Sequence, residues 1–290
     1  AQQTPPSAVP PPAVATAPAL AGPVADALQR LRRAVDRSEH VAGDAAMRAL
    51  EATGTADAAT LAHARAEWSL SLYRRNLMDD AAKAAASALE LGRSSGDGLA
   101  RADGLMAWAR VEWAAGQLDE ALVHLEQAAL PPPPDLRLQT RIQTLLGLVH
   151  CDLGRAAASE AFHRAALDAA RESGEHDLQL VALTNLAGRL LDSAGPDDPR
   201  FAEIDALVAE ADALAQAHEQ EITLPHILVT RGAALLARGR LDEAQAAFTR
   251  WRRLLDAYPD KSSLPHAAPV LARLHRARGD LAAARQALTE

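Results

Sequence analysis

The stretch Leu236-Ala-Arg-Gly239-Arg-Leu241-Asp-Glu-Ala244 decides how this chain folds, because it recurs. Trp113-Ala-Ala-Gly116-Gln-Leu118-Asp-Glu-Ala121 and Arg276-Ala-Arg-Gly279-Asp-Leu281-Ala-Ala-Ala284 repeat its frame. Arg75-Asn76-Leu-Met78-Asp-Asp-Ala81 also fits, and Asp152-Leu-Gly154-Arg155 fits more loosely. In each copy a helix-length segment runs into Gly or Asn, and a second, alanine-rich segment follows. Glycine there lets the backbone leave the first helix tightly, and the alanine five residues on lets the second helix approach the first. Small residues recur upstream, at Ser69, Ala109, Gly147, Ala187, Gly232 and Ala272. Downstream, Phe248 with Trp251 and Leu125 with Ala128 hold matching places in the second helix. The anchors Asn76, Gly116, Gly154, Ala194, Gly239 and Gly279 lie 40, 38, 40, 45 and 40 residues apart, and a sustained period of this kind marks stacked helix pairs.

Composition agrees. The 290 residues include 69 alanines but four isoleucines and three phenylalanines, which suits closely packed helices and argues against sheets. The expected class is all-α. Thirty basic residues against 38 acidic ones, with no long basic run, leave no field to hold nucleic acid. No segment approaches the ~20 apolar residues of a membrane-spanning helix. A single cysteine, Cys151, excludes an intramolecular disulfide.

The recurring residues resemble the tetratricopeptide repeat, two antiparallel helices joined at a Gly-x-hydrophobic-x-x-Ala turn. The resemblance covers residues 57–290 in about five copies. The fourth, from Asn185-Leu-Ala187 to Gly195-Pro196-Asp-Asp-Pro199, is irregular and has a longer turn. A spacing near 40 is similar to the long-helix variety of bacterial regulators and sensors. The resemblance implies an α-α superhelix, right-handed, with a groove lined by the first helix of each pair, and a role in binding. Residues 24–56 supply a capping pair, Val24 to Asp36 and Glu39 to Ala52, and prolines from Pro131 to Pro269 punctuate the helices.

Residues 1–23 hold seven of the 17 prolines and read as an unordered or polyproline II leader. Its small first residue and Pro/Ala-rich spacer point to an exported, periplasmic protein. The chain stops inside a helix at Glu290 with no polar cap, which leads us to expect further chain carrying an output domain, of the diguanylate cyclase or histidine kinase type. The alternative is a cytoplasmic regulator or assembly scaffold that docks a partner protein. An uncapped end also offers a surface for a homodimer.

Motifs that would carry chemistry fail on context. Gly92-Arg-Ser94-Ser-Gly96 has the spacing of a hydrolase nucleophile elbow but follows an alanine-rich helix, not a strand. His218-Glu219 lacks the second histidine of a zinc helix, since Ile222 stands there. His150 and Cys151 point about 100° apart on one helix, so they do not converge on a metal with His163. Neither Lys83 nor Lys261 follows a phosphate-binding loop, and Arg30–Arg33 and Arg250–Arg253 read as solvated faces. No catalytic group, cofactor or metal is expected in this chain.

Trp68 and Trp108 take a core position of the repeat. The resemblance directs Trp113 to the groove, with Tyr73, Arg74, Met106, Arg110, Arg141, Thr144, Cys151, Asn185 and Asp192 as candidate lining residues. An aromatic flanked by arginines suits a peptide with a carboxylate or aromatic group, or a small ligand. The lysine–asparagine clamp of chaperone-binding repeats is missing, because the first helices offer Asn185 alone and no lysine.

Overall fold

The computed structural model describes residues 22–195, 197–218, 224–257 and 263–289. Among them the fold is all-α, with no strand and fourteen helices in antiparallel pairs that stack as a tetratricopeptide-like superhelix. The pairs are α1 (Pro23–Asp36) with α2 (His40–Ala52), α3 (Ala58–Arg74) with α4 (Met78–Ser95), and α5 (Gly98–Ala114) with α6 (Leu118–Ala128). Then come α7 (Leu136–Asp152) with α8 (Ala156–Ser173), and α9 (His176–Asp192) with α10 (Phe201–Ala217). The last are α11 (Leu224–Ala237) with α12 (Leu241–Ala257) and α13 (Leu264–Ala277) with α14 (Leu281–Gln286).

Local chemistry sets each boundary. Gly116, Gly154, Gly239 and Gly279 turn the chain at φ 78°, 71°, 71° and 81°, and Asn76 does the same at 58°, one of the few side chains that tolerates this region. Asp57, Asp97 and Asp135 open α3, α5 and α7 by accepting the backbone N–H of Thr60, Ala100 and Leu138 at 2.7, 2.8 and 3.0 Å. The recurring small residues explain how closely the helices pair. A Cβ on Gly147 would stand 2.6 Å from the His163 ring, and one on Gly232 would stand 2.6 Å from the Phe248 ring. Ser69 Oγ donates to the Ala81 carbonyl at 2.9 Å and Ser159 Oγ to that of Gly147 at 2.8 Å, sealing the same contact in two pairs.

The core is a chain of local clusters: α1–α3, then α4–α7, then α8–α11, then α11–α14. Trp251 and Phe248 anchor the last, edge to face with ring centroids 6.1 Å apart, and Trp251 Nε1–H donates to Ser263 Oγ at 3.1 Å. First helices also pack on one another, α1 on α3, α3 on α5 and onward to α13, so one row of helices runs through the molecule.

Three expectations need correction. Pro23 belongs to α1, where proline suits the first turn, so the leader ends sooner than expected; residues 1–21 lie outside the described residues. Pro269 lies inside α13 and does not punctuate it. Trp68 and Trp108 are half-buried: both rings pack on core clusters, but Trp68 Nε1–H reaches Asp44 Oδ1 at 3.0 Å and Trp108 borders an open cavity of about 580 Å³.

Close approach makes a sharp prediction. A Cβ on Gly104 would lie 2.7 Å from the Ala88 carbonyl oxygen and the Leu89 Cα, both backbone, so α5 would have to move off α4. Gly104→Ala should cost about 2 kcal/mol in urea unfolding. Gly188, in the interior of α9, has nothing within 4 Å of a built Cβ. Gly188→Ala should gain roughly 0.5–1 kcal/mol in the same measurement.

Candidate functional site

The first helices curl far enough for α1 to meet α7, three pairs away. Arg137 and Arg141, one turn apart on α7, reach Asp36 at the end of α1: Arg137 Nη2 lies 2.7 Å and Arg141 Nη2 3.2 Å from its Oδ1. Glu67 of α3 sits beneath them, 2 % exposed, with Arg141 Nη1 at 2.7 Å, Arg137 Nε at 3.5 Å and Arg32 Nε at 3.7 Å from its Oε1. Arg137 Nη1 also holds Glu175 Oε2 at 2.7 Å, which ties in the start of α9. Burial pushes the Glu67 carboxyl up, but Arg141, Arg137 and Arg32 outweigh it and bring it down to about 2. Burial likewise opposes the charge on Arg137, yet Glu67 and Asp36 raise it above the ordinary guanidinium range. A second buried pair, His63 Nδ1 with Asp103 Oδ2 at 2.7 Å, joins α3 to α5; burial lowers His63, and the hydrogen bond to Asp103 more than reverses that.

Beside this network lie four of the ten residues expected in the groove. Tyr73 and Trp113 are half-buried, with ring centroids 6.3 Å apart and planes at 45°. Trp113 Nε1–H donates to Asp152 Oδ2 at 2.7 Å, which fixes the indole against α7. Arg74 donates to the Val35 carbonyl at 2.5 Å, pinning the end of α3 to α1. Arg110 is 8 % exposed; its Nη2 meets Met106 Sδ at 3.1 Å and its Nη1 is buried without a hydrogen-bond partner. Burial first, then Arg141 and Arg74, lower Arg110 to about 10.

The other candidates separate. Met106, 1 % exposed, belongs to the core and offers no surface to a ligand. Arg141 lies on the same helix row but is committed to Glu67 and Asp36. Cys151 accepts from Arg189 Nη1 at 2.6 Å, and Arg189 Nη2 lies 3.6 Å from the exposed Asp192, so these two form a separate cluster. Thr144 and Asn185 are half-buried on the same helix row. Sequence reasoning missed Asp36, Glu67, Arg137, Glu175 and Arg189. Glu67 did leave a signal, a lone acid between Ala64 and Leu70 whose neighbours other than Arg65 are small or apolar.

Elsewhere the residues tested for chemistry have ordinary surroundings. Ser94 lies in the last turn of α4 and donates to the Leu91 carbonyl at 3.1 Å. His150 stacks on Phe162 at 5.0 Å, and His163 is packed under Gly147, lowered to about 4 by burial and Arg189. His218 stacks on His176 at 3.5 Å, while Glu219 and Ile222 lie outside the described residues. Among the described residues no three His, Cys, Asp or Glu side chains gather to hold a metal ion, and no helix is long and apolar enough to cross a membrane.

No family model and no curated protein matches the chain. Its fold is similar to solved structures. A Rap protein complexed with competence and sporulation factor superposes at TM-score 0.66 with 13 % identity, covering 92 % of this chain and 75 % of that one. NprR in complex with its cognate peptide NprX gives 0.62 and 12 %, covering 91 % and 76 %. BtubC (BKLC) from P. vanneervenii gives 0.56 and 17 %, covering 73 % and 88 %. At these identities the likeness is one of fold, that of tetratricopeptide-like repeat proteins. It runs against the exported, periplasmic placement expected from the leader, since Rap and NprR are cytoplasmic regulators.

The Glu67 site titrates in a defined direction. Its folded value is depressed, so its contribution is fully present above the usual carboxylate range near 4.5 and is lost as pH falls toward 2. Glu67→Gln strands the arginines, and should cost roughly 3–5 kcal/mol at pH 7. It should also flatten the stability-versus-pH curve between 4.5 and 2, read by urea unfolding at each pH.

Proposed function

We propose that this chain is a non-catalytic, peptide- or protein-binding domain of the long-repeat bacterial regulator type, which works in the cytoplasm as a regulator or assembly scaffold by docking a partner. The carrying observation is the row of first helices on which Tyr73 and Trp113 stand half-buried, 6.3 Å apart, beside the buried Arg110. Half-buried aromatics next to a guanidinium are the side chains that concentrate binding energy at interfaces, because they offer large area at little entropy cost. The likeness to Rap and NprR, each solved with a peptide or factor bound, supports the same reading.

Selection of peptides from a displayed random library on the immobilised protein tests it. Enriched peptides should bind the wild type with micromolar dissociation constants, and Trp113→Ala should weaken them at least ~10-fold, about 1.4 kcal/mol. The melting temperature should stay close to that of the wild type, because Trp113 lies at the edge of the core. A library that yields no binder, or binders indifferent to Trp113→Ala, rejects the reading.

A further inference from the structure

Among the described residues six buried side-chain atoms lack a hydrogen-bond partner: Arg32 Nε, Glu67 Oε2, Arg110 Nη1, Arg137 Nε, His150 Nδ1 and His163 Nδ1. Arg32, Glu67 and Arg137 still lie within 4 Å of an opposite charge. The two histidines are driven toward their neutral forms by burial. Arg110 differs. Among the described residues its guanidinium has a thioether for a hydrogen-bond partner and no carboxylate within ion-pair distance.

The surroundings make this more pronounced. Arg110 feels Arg141 and Arg74 as like charges; Tyr73 and then Glu67 oppose them more weakly, and Glu67 already takes Arg141, Arg137 and Arg32 on a single oxygen. A buried, unpaired cation beside two others is costly unless something pairs with it. Trp113 stands one turn further along the same face of α5, and Tyr73 comes across from α3. Two rings next to a guanidinium lower the local dielectric and strengthen an ion pair formed there, and the planar fork of arginine matches the two oxygens of a carboxylate.

We propose that Arg110 anchors a carboxylate-binding site on this helix row, with Tyr73 and Trp113 at its mouth, and that a ligand carboxylate supplies the missing counter-charge. This rests on the peptide-binding reading and names the group by which the peptide is held. The carboxylate belongs either to an Asp or Glu side chain or to the C terminus.

The ligand-free protein provides the first test. Arg110→Met removes an uncompensated charge and keeps the apolar stem, so it should melt at or above the wild type. A clear drop in melting temperature would mean that Arg110 is paired inside the fold, and would overturn the proposal. The second test follows the Trp113 indole N–H by NMR at constant ionic strength, with four probes: N-acetylalanine, N-acetylaspartic acid α-amide with its side-chain carboxylate free, N-acetylalaninamide and inorganic phosphate. At least one of the two acids should shift the signal saturably, and which one does identifies the carboxylate as terminal or side-chain. The neutral amide should not shift it. The response should vanish in Arg110→Met and weaken but persist in Arg110→Lys. Equal responses to the amide or to phosphate, or an undiminished response in Arg110→Met, overturn the proposal. Library peptides that bind wild type and Arg110→Met equally would also overturn it while leaving the peptide-binding reading intact.

Discussion

The fold depends on how closely two helix backbones can approach. At Gly92 and Gly104 the neighbouring helix lies so near that a methyl group would meet backbone atoms, at 2.5 Å in one case and 2.7 Å in the other. Where the pairs touch, the sequence supplies glycine, alanine or serine: Ala81 and Ala121 are fully buried, and Ser69 and Ser159 satisfy carbonyls of the facing helix. Close contact raises the number of dispersion contacts per residue, which is how a core poor in large side chains still holds. It also makes each pair a nearly rigid unit, so the path of the superhelix is the sum of small rotations between units.

That sum brings α1 against α7. The charges meeting there are expensive to bury, and replacing such a set by apolar residues is often no loss in stability. What the network of Asp36, Glu67, Arg137, Arg141 and Glu175 does is join four first helices at one degree of curl, since each arginine reaches acids on other helices. Among the described residues the same curl leaves Arg110 without an acid at ion-pair distance. The half of the helix row near the N terminus is therefore filled by the protein's own ion pairs, and the Tyr73–Trp113 pair stands at its side.

The helices and their pairing were legible because their causes are local. Asn76, Gly116, Gly154, Gly239 and Gly279 turn the chain at positive φ where the repeat frame places them, and Asp57, Asp97 and Asp135 cap the helices that follow. The long fourth turn before Phe201 also shows in the sequence as an interrupted frame. The site was legible only in part. The frame brought Tyr73, Arg74, Arg110, Trp113 and Arg141 to one row, yet it could not distinguish the buried Met106 from its neighbours, nor show that Cys151 would meet Arg189. Pro269 misled for a related reason: proline stops a helix in isolation, but the surrounding pairs carry α13 through it.

The sequence by itself determined the all-α class, the helix boundaries and the partner of each helix, because propensity, capping and turn geometry act within about 40 residues of chain. Only the tertiary structure decided which charges are paired. Asp36 and Arg137 are 101 positions apart, and their meeting depends on the rotation accumulated across the two intervening helix pairs, a quantity that no local pattern encodes. That Arg110 meets no acid among the described residues has the same origin: charge counts come from the sequence, but counter-charges are assigned in space.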